Sequence, residues 1–195
     1  MGAFDPAAIT AAILAGGAGR RVGGADKGLL LLDGRPLIMH VQAALHGQAG
    51  AIVICANRNA DRYARFAPVV TDATADFRGP LAGIAAALGH CKSEWLLTVP
   101  VDCPSPPSDF ARRLQAAADG HAAVAYDGRC RQPLFAIYRR GLFDSAAAAL
   151  ARSVSVWGWQ DEIGARMADF SDAPQIQANL NTHEDFKNWE QVSHG

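Results

Sequence analysis

The residues best suited to chemistry stand in one short segment near the start of the chain. Residues 14–27 read Leu-Ala-Gly-Gly-Ala-Gly-Arg-Arg-Val-Gly-Gly-Ala-Asp-Lys, so five glycines and three cationic side chains share one connection. Glycines let backbone N–H groups turn toward a polyanion and let it approach closely, while arginine and lysine neutralise its charge. The segment therefore predicts a phosphate-binding loop. The alternative is a flexible surface loop with solvated charges.

The spacing within this loop excludes two common nucleotide-binding motifs. Gly19 and Gly24 have the separation of the Walker A glycines, but Ala25 follows where that motif has lysine. Gly17 and Gly19 would begin a dinucleotide fingerprint, whose third glycine is replaced by Val22. Kinase and dehydrogenase functions therefore lose their best support.

Further polar residues stand at the ends of segments that predict buried strands. They are Asp72, Asp102, and the pair Asn179 and Asn181. Ligands of parallel α/β sheets bind beyond the carboxyl ends of the strands, so we expect these side chains to share one crevice with the glycine loop. A carboxylate at the position of Asp102 is costly unless it meets water or a cation, and it suits a hard cation. A turn or helix-cap role is the alternative for each of these residues.

The elements that must position these residues are strands alternating with helices. We predict strands over residues 9–14, 52–55, 69–71, 95–101, 122–125 and 134–138, and a last strand ending at residues 179–181. We predict helices from Pro36, from Pro80, after a Ser108 cap, over residues 141–151 and after a Thr182 cap, with residues 154–170 as loop, short helix and strand. This alternation predicts an α/β fold of three layers, with a mostly parallel sheet covered by helices on both faces.

Length and composition exclude several classes of protein. The 195 residues suit a single domain, residues 1–195, in which we expect residues 1–8 to form a flexible tail. The formal net charge of −1 lacks the basic excess of nucleic-acid-binding proteins. No apolar run reaches the ~20 residues of a membrane span, and four widely spaced cysteines favour a reducing compartment. We therefore expect a soluble cytoplasmic protein without nucleic-acid or membrane partners.

The loop resembles the N-terminal motif of the molybdenum cofactor guanylyltransferase family (MobA). That motif reads Leu-Ala-Gly-Gly, two residues, Arg-Arg-Met-Gly-Gly, one residue, Asp-Lys-Gly, and Val22 in place of methionine is the clear departure here. Further matches are Asp33-Gly34-Arg35-Pro36-Leu37, Asn57-Arg58, Asp76-Phe77-Arg78-Gly79-Pro80-Leu81-Ala82-Gly83, Pro100-Val101-Asp102-Cys103-Pro104 and Asn179-Leu180-Asn181-Thr182. The resemblance spans about the whole chain and implies the nucleotidyltransferase variant of a Rossmann-like fold.

The resemblance implies transfer of GMP from GTP to the terminal phosphate of molybdopterin carrying molybdenum, with release of pyrophosphate and with Mg²⁺ as cofactor. The implied catalytic residues are Asp102, Lys27 and Arg21, with Asp102 as the metal ligand. The implied nucleotide-binding residues are Leu14, Ala15, Gly16, Gly17, Gly24, Lys27, Asp72, Asp102 and Cys55. The implied acceptor-binding residues are Gly79, Gly83, Asn179 and Asn181. At Cys55 the family pattern has asparagine, and a thiol cannot replace the donor and acceptor pair of an amide.

Two other classes of function stay open at this point. One is a CTP-dependent or sugar-phosphate nucleotidyltransferase of the same fold, and the other is a nucleotide-binding regulatory protein without catalysis. In the family, Leu-Ala-Gly-Gly goes with guanine and Leu-Ala-Ala-Gly with cytosine, so Gly16 implies GTP. The resemblance also implies transient contact with molybdenum-insertion proteins and with apo-forms of molybdoenzymes. Trp157, Trp159 and the six histidines are interpreted as packing or surface residues.

Overall fold

A computed structural model describes residues 4–16, 26–72, 79–177, 180, 185 and 189. The strands are β1 (Ile9–Leu14), β2 (Leu31–Leu32), β3 (Arg35–Pro36), β4 (Ala51–Cys55), β5 (Val69–Val70), β6 (Trp95–Pro100), β7 (Ala122–Tyr126), β8 (Arg131–Arg139) and β9 (Arg166–Asp169). The α-helices are α1 (Leu37–Leu45), α2 (Ala60–Tyr63), α3 (Pro80–His90), α4 (Phe110–Ala117), α5 (Phe143–Ala151) and α6 (Val156–Glu162). Short 3₁₀ helices cover Pro6–Ala8, Lys27–Leu29, Arg140–Leu142 and Pro174–Gln177. Among the described residues, no helix has the length and apolar character needed to cross a bilayer.

Seven strands form one sheet in the order β5-β4-β1-β6-β8-β7-β9. β5, β4, β1 and β6 pair in parallel, β8 is antiparallel to both of its neighbours, and β9 is parallel to β7. Every strand of this sheet except β8 therefore points the same way, which confirms the predicted mostly parallel sheet. β2 and β3 form a separate antiparallel hairpin, whose turn residues Asp33 and Gly34 have φ values of 50° and 73° as a two-residue turn of this kind requires.

Alternate residues along the strands face two different layers of helices. Ile9 and Ile13 of β1 pack in a core cluster with side chains of α1, α2 and α4. Ala12 of the same strand packs in a second cluster with side chains of α3, α5 and α6. Burial on both faces is expected where helices cover both sides of a parallel sheet. The three predicted layers are therefore confirmed.

Residues 4–8 differ from the flexible tail that we expected. Pro6–Ala8 forms a 3₁₀ helix, and the side chain of Asp5 accepts from the Ala7 backbone N–H at 2.9 Å. Phe4 packs against the core, and the Gly50 backbone N–H donates to the Pro6 carbonyl at 2.6 Å. The tail prediction was wrong for these residues because a partner distant in sequence holds them against the sheet.

Two further predictions of local structure were wrong. Helix α4 begins after Asp109 rather than after a Ser108 cap, because the chain turns at Pro107, whose carbonyl accepts from the Phe110 N–H at 3.0 Å. The predicted last strand ends at residues 179–181, of which only Leu180 is described, and Leu180 is not in a strand. The 3₁₀ helix Pro174–Gln177 precedes it, and β9 is the last strand among the described residues. The predicted Thr182 cap lies outside the described residues.

Candidate functional site

The carboxyl ends of neighbouring parallel strands meet at one edge of the sheet. Leu14 pairs with Cys55 on one side and with Pro100 on the other, so β4, β1 and β6 end at the same level. Asp72 follows β5 and Asp102 follows β6 within two residues of the strand ends. The strand that leads into the glycine loop therefore lies between the strands that carry the two carboxylates.

Lys27 and Asp102 form an ion pair at this edge. The distance from Lys27 Nζ to Asp102 Oδ2 is 3.2 Å, and the two side chains are 20% and 22% exposed. A partly exposed pair of this kind contributes only about 0–1 kcal/mol to stability, so folding alone gives little reason for it. The Lys27 ammonium can instead bind an anion while the Asp102 carboxylate binds a cation next to it.

The turn that carries Lys27 is packed closely against the body of the fold. A Cβ placed on Gly28 would lie 2.4 Å from the Tyr63 hydroxyl oxygen and 2.9 Å from Val101 Cγ2. Residue 28 therefore has to be glycine for the turn Lys27–Leu29 to lie here. Our sequence analysis gave Gly28 no role beyond its place in the Asp-Lys-Gly motif, because the steric reason depends on side chains far along the chain.

Asp26 and Tyr63 are also site residues that our sequence analysis missed. The Tyr63 hydroxyl donates to Asp26 Oδ1, and Asn59 Nδ2 donates to Asp26 Oδ2 at 2.9 Å. Burial and then the Asp26 carboxylate raise the pKa of Tyr63 above its ordinary value, so the hydroxyl stays protonated. No local pattern in the sequence links Asp26 to a tyrosine that lies 37 residues further along.

Asp72 is held at the edge by its own backbone. Its N–H donates to Asn57 Oδ1 at 3.0 Å, and Asn57 belongs to the short connection after β4. The half-buried Asp72 side chain thus stands beside the end of β4. Asn57 is a positioning residue that the matched Asn57-Arg58 motif indicated without a role.

Cys55 lies in the row of strand ends, but its thiol packs beneath the crevice. Its Sγ donates to the Gly83 carbonyl at 3.6 Å, and the side chain packs with the cluster under α3. Burial and then the nearby Asp72 carboxylate raise the pKa of the Cys55 thiol to about 12. The residue is therefore a neutral packing group in this structure.

Gly79 and Gly83 set the start of α3 against the same edge. Gly79 precedes the helix with φ 77°, a value that side chains with a Cβ rarely adopt. A Cβ on Gly83 would be 3.7 Å from Cys55 Cβ and 3.8 Å from Leu14 Cδ2. The first turn of α3 therefore rests on the ends of β1 and β4, where its N–H groups can attract an anion.

Several predicted site residues lie outside the described part of the chain. They are Gly17, Arg21, Gly24, Asn179 and Asn181. Leu180, between the two asparagines, is described: its N–H donates to the Asp102 carbonyl at 2.9 Å, and its side chain is buried with Leu32 and Leu37. The C-terminal segment thus contacts the end of β6 at that residue.

The donor set at the edge fits a magnesium ion bound mainly by substrate. Within the described ranges, no group of three or more histidine, cysteine, aspartate or glutamate side chains could hold a metal ion. Mg²⁺ at nucleotide sites is commonly held by one or two carboxylates together with phosphates and waters. A single half-buried carboxylate, Asp102, meets that requirement.

Comparison with known proteins agrees with this geometry. The model of the MobA-like NTP transferase domain family matches residues 11–163. The molybdenum cofactor guanylyltransferase of Burkholderia vietnamiensis is 47% identical over 165 residues, which cover 76% of this chain and 80% of that protein. The molybdenum cofactor guanylyltransferase of Vibrio cholerae is 39% identical over 185 residues, covering 93% of this chain and 91% of that protein.

Solved structures share the fold at lower identity. Molybdopterin-guanine dinucleotide biosynthesis protein A from Archaeoglobus fulgidus superposes with a TM-score of 0.77 at 22% identity, over 95% of this chain and 98% of that chain. The 2-C-methyl-D-erythritol 4-phosphate cytidylyltransferase from Thermus thermophilus gives a TM-score of 0.70 at 15% identity, over 94% and 98% of the two chains. These likenesses concern the fold, whereas the family match covers most of the sequence. The chain therefore belongs to the MobA-like NTP transferase family.

Proposed function

We propose that this nucleotidyltransferase transfers GMP from GTP to the terminal phosphate of molybdopterin carrying molybdenum and releases pyrophosphate. The observation that carries the proposal is the Lys27–Asp102 pair, 3.2 Å apart at the sheet edge where β1 runs into the glycine loop. The names of relatives at 39–47% identity favour GTP over CTP as the nucleotide. A regulatory protein without catalysis would not need a lysine and a carboxylate together at this edge.

The physical task is to bring two anions together. An acceptor phosphate oxygen must attack the α-phosphorus in line with the departing pyrophosphate, so like charges have to be neutralised and oriented. Lys27 is proposed to bind the α-phosphate, and Arg21 the β- and γ-phosphates. Both cations act on the triphosphate in the ground state and in the transition state.

Asp102 is the residue that would hold Mg²⁺ at this edge of the sheet. When bound, the ion would supply positive charge to neutralise the reacting phosphates. Asp102 supplies the protein carboxylate for it, and the ion pair with Lys27 keeps that carboxylate oriented at the edge. The 22% exposure of the Asp102 side chain leaves it accessible to a ligand.

The remaining predicted residues are assigned by their place along the same edge. Leu14, Ala15, Gly16, Gly17 and Gly24 are proposed to give backbone contacts to the nucleotide, and Asp72 to accept from guanine N–H groups or ribose hydroxyls. Gly79, Gly83, Asn179 and Asn181 are proposed to bind the acceptor phosphate, which the contact of Leu180 with the Asp102 carbonyl supports. The thiol of Cys55, packed under α3, gives no support to a direct nucleotide contact.

The cell compartment and the protein partners stay predictions of the sequence. Cys55, Cys91 and Cys103 are buried free thiols, which suits the reducing cytoplasm that we propose. Handover of the product to apo-molybdoenzymes, and transient contact with molybdenum-insertion proteins, are expected from the family resemblance.

Pyrophosphate release from GTP or CTP with Mg²⁺ and molybdopterin carrying molybdenum tests the proposal. We expect release with GTP and little with CTP, and competition between the two nucleotides should favour GTP. A preference for CTP would overturn the guanylyltransferase assignment and leave a nucleotidyltransferase. Tight GTP binding without release under the same conditions would instead support the regulatory alternative.

A further inference from the structure

Two residues that precede helices do not use their side chains as helix caps. Asp26 precedes the 3₁₀ helix Lys27–Leu29 and Asn59 precedes α2, and neither side chain bonds to the first turn of its own helix. Aspartate and asparagine at this position ordinarily accept from the backbone N–H groups of that turn. Here Asn59 donates across to Asp26 Oδ2 at 2.9 Å instead. The contact joins two segments that are 33 residues apart.

Asn59 also has a backbone conformation that is uncommon for a residue with a side chain. Its φ of 52° lies in the left-handed region, which asparagine tolerates better than most residues. The exposed Asn59 is thus held in a conformation that directs its amide toward Asp26 rather than toward α2. The side chains of Asp26 and Asn59 thus join the two segments to each other instead of capping their own helices.

Tyr63 contacts the turn Lys27–Leu29 from the core side. Its side chain is fully buried in the core cluster with α1 and α4, and its hydroxyl donates to Asp26 Oδ1. Gly28 packs closely against the same hydroxyl, since a Cβ on residue 28 would lie 2.4 Å from it. One rigid phenol thus contacts both residues that flank Lys27.

Two hydrogen bonds fix the orientation of the Asp26 carboxylate. Both of its carboxylate oxygens bond to the α2 segment, one to Tyr63 and one to Asn59. An ammonium next in sequence to a loose carboxylate would be attracted to it and held away from a phosphate. Lys27 Nζ instead donates to Asp102 at 3.2 Å.

We propose that Tyr63 is a positioning residue for Lys27: its hydroxyl, together with Asn59, holds Asp26 and so fixes the turn that presents the Lys27 ammonium at the crevice. The inference rests on the proposed function for its effect on turnover. Its structural part concerns only where the Lys27 ammonium lies.

Tyr63→Phe tests the proposal, because it keeps the buried ring and removes only the hydroxyl. We expect kcat/KM for GTP to fall about tenfold, less than the roughly 10²-fold that a 1 Å misplacement of a reacting group can cost. In a Lys27→Ala background the same change should cost less than about twofold, because residues acting through one another are not additive. Asn59→Gly, which suits the left-handed backbone, should cause a smaller loss in the same direction and serves if Tyr63→Phe folds poorly.

Tyr138→Phe is the matched control. Tyr138 is likewise fully buried, its hydroxyl bonds to Gln160 Nε2 at 2.7 Å, and it lies in the other core cluster. We expect it to lower the melting temperature as Tyr63→Phe does while leaving kcat/KM for GTP within about twofold of wild type. The proposal is overturned if Tyr63→Phe lowers kcat/KM for GTP equally in the wild-type and Lys27→Ala backgrounds. It is also overturned if Tyr63→Phe folds and keeps the wild-type kcat/KM while Lys27→Ala lowers it.

A second measurement needs no reaction. The chain has three lysines, Lys27, Lys92 and Lys187, so ¹³C-dimethylation of the folded protein gives few resonances, and Lys27→Arg assigns one of them. Tyr63→Phe should shift the Lys27 resonance, and Tyr138→Phe should leave it in place. An unchanged Lys27 resonance in Tyr63→Phe contradicts the proposal. Failure of wild type to release pyrophosphate would refute the proposed function while this test still decides the positioning.

Discussion

The two halves of the large sheet use their polar side chains differently. The parallel half (β5, β4, β1 and β6) brings Lys27 to Asp102, which is 75 residues away in sequence. In the hairpin half (β8, β7 and β9), Asp127 stands at the corresponding end of β7 and bonds within its own turn. Its Oδ1 accepts from the Arg129 and Cys130 backbone N–H groups, each at 2.8 Å.

Buried polar groups inside the hairpin half bond to groups of the same half, although the buried Gln160 Oε1 has no hydrogen-bond partner among the described residues. Gln160 Nε2 donates to the Pro133 carbonyl at 2.8 Å and to the Tyr138 hydroxyl at 2.7 Å. The rings of Tyr138 and Trp159 lie 5.0 Å apart, and Trp159 Nε1 donates to Ser145. Trp159 is therefore the core aromatic that the sequence indicated.

Trp157 lies on the surface of the same half, 41% exposed, with the Arg131 guanidinium 4.8 Å from its ring centre. The two halves differ in what their polar groups contact. For Asp127 and Gln160 of the hairpin half the partners are close in sequence or buried in the core, which stabilises the fold, while Arg131 forms a surface ion pair with the exposed Asp161. In the parallel half they are distant in sequence and partly exposed, which is typical of a binding edge.

Asp102→Asn gives the largest expected effect, and it falls mainly on activity. The amide is neutral and a poorer ligand for a hard cation, so pyrophosphate release should fall by more than about 10²-fold. The ion pair is worth about 0–1 kcal/mol, so the melting temperature should change by only a few degrees, at about 2–4 °C per kcal/mol. GTP binding should stay measurable by calorimetry. Near-normal pyrophosphate release by this variant would show that Asp102 has no part in the mechanism. The parallel half would then no longer differ from the hairpin half in having a catalytic carboxylate.

Gly16→Ala gives the next largest effect and tests nucleotide choice. A Cβ on the exposed Gly16 would meet no atom of the described residues within 4 Å, so we expect melting to be unchanged. A methyl group facing the larger base typically costs about 1–3 kcal/mol, so kcat/KM for GTP should fall roughly tenfold to a hundredfold. We expect little gain with CTP, because favourable contacts to cytosine must come from other positions. If GTP kinetics are unchanged, Gly16 does not face the base.

Asp127→Ala should affect stability and spare turnover, the reverse of Asp102→Asn. Removing the acceptor of two backbone N–H groups should cost about 1 kcal/mol or more at pH 7, which thermal melting can measure. Backbone N–H groups of Cys130 and Arg129 hold the pKa of Asp127 below its ordinary value. The charged carboxylate therefore stabilises the fold above about pH 4, and this contribution disappears as the pH falls through the lower folded-state pKa. The difference from wild type should shrink below about pH 4, and a difference that grows there would contradict this explanation.

Cys55→Ala has the smallest expected effect, although Cys55 lies in the row of strand ends. Its thiol packs under α3, so KM for GTP should stay within about threefold of wild type, a change below 1 kcal/mol. With a pKa of about 12, the buried thiol should resist iodoacetamide at pH 8 while the exposed Cys130 reacts. Mass spectrometry of the labelled peptides measures both. A large rise in KM would show that the nucleotide contacts residue 55.

Much of the fold was predictable because its signals are local. An apolar run that stops at glycine predicted β1, and Pro80 predicted the start of α3. A second apolar run predicted β6 and placed Asp102 at its carboxyl end. The predictions for residues 4–8 and for the last strand were wrong because contacts with Gly50 and Asp102, both far away in sequence, determine the path of those segments. The loop motif predicted Lys27 as a cation of the site, but its support by Tyr63 has no sequence signal.

The sequence by itself determined which residue types stand at the strand ends and which family motif they form. Tertiary structure alone decided that Lys27 meets Asp102 and that the Cys55 thiol faces α3. Strands buried on both faces carry apolar residues at every position, so the sequence has no alternation to tell which side a residue such as Cys55 will face. Only the pairing of β4 with β1 and the packing of α3 on them settle that direction.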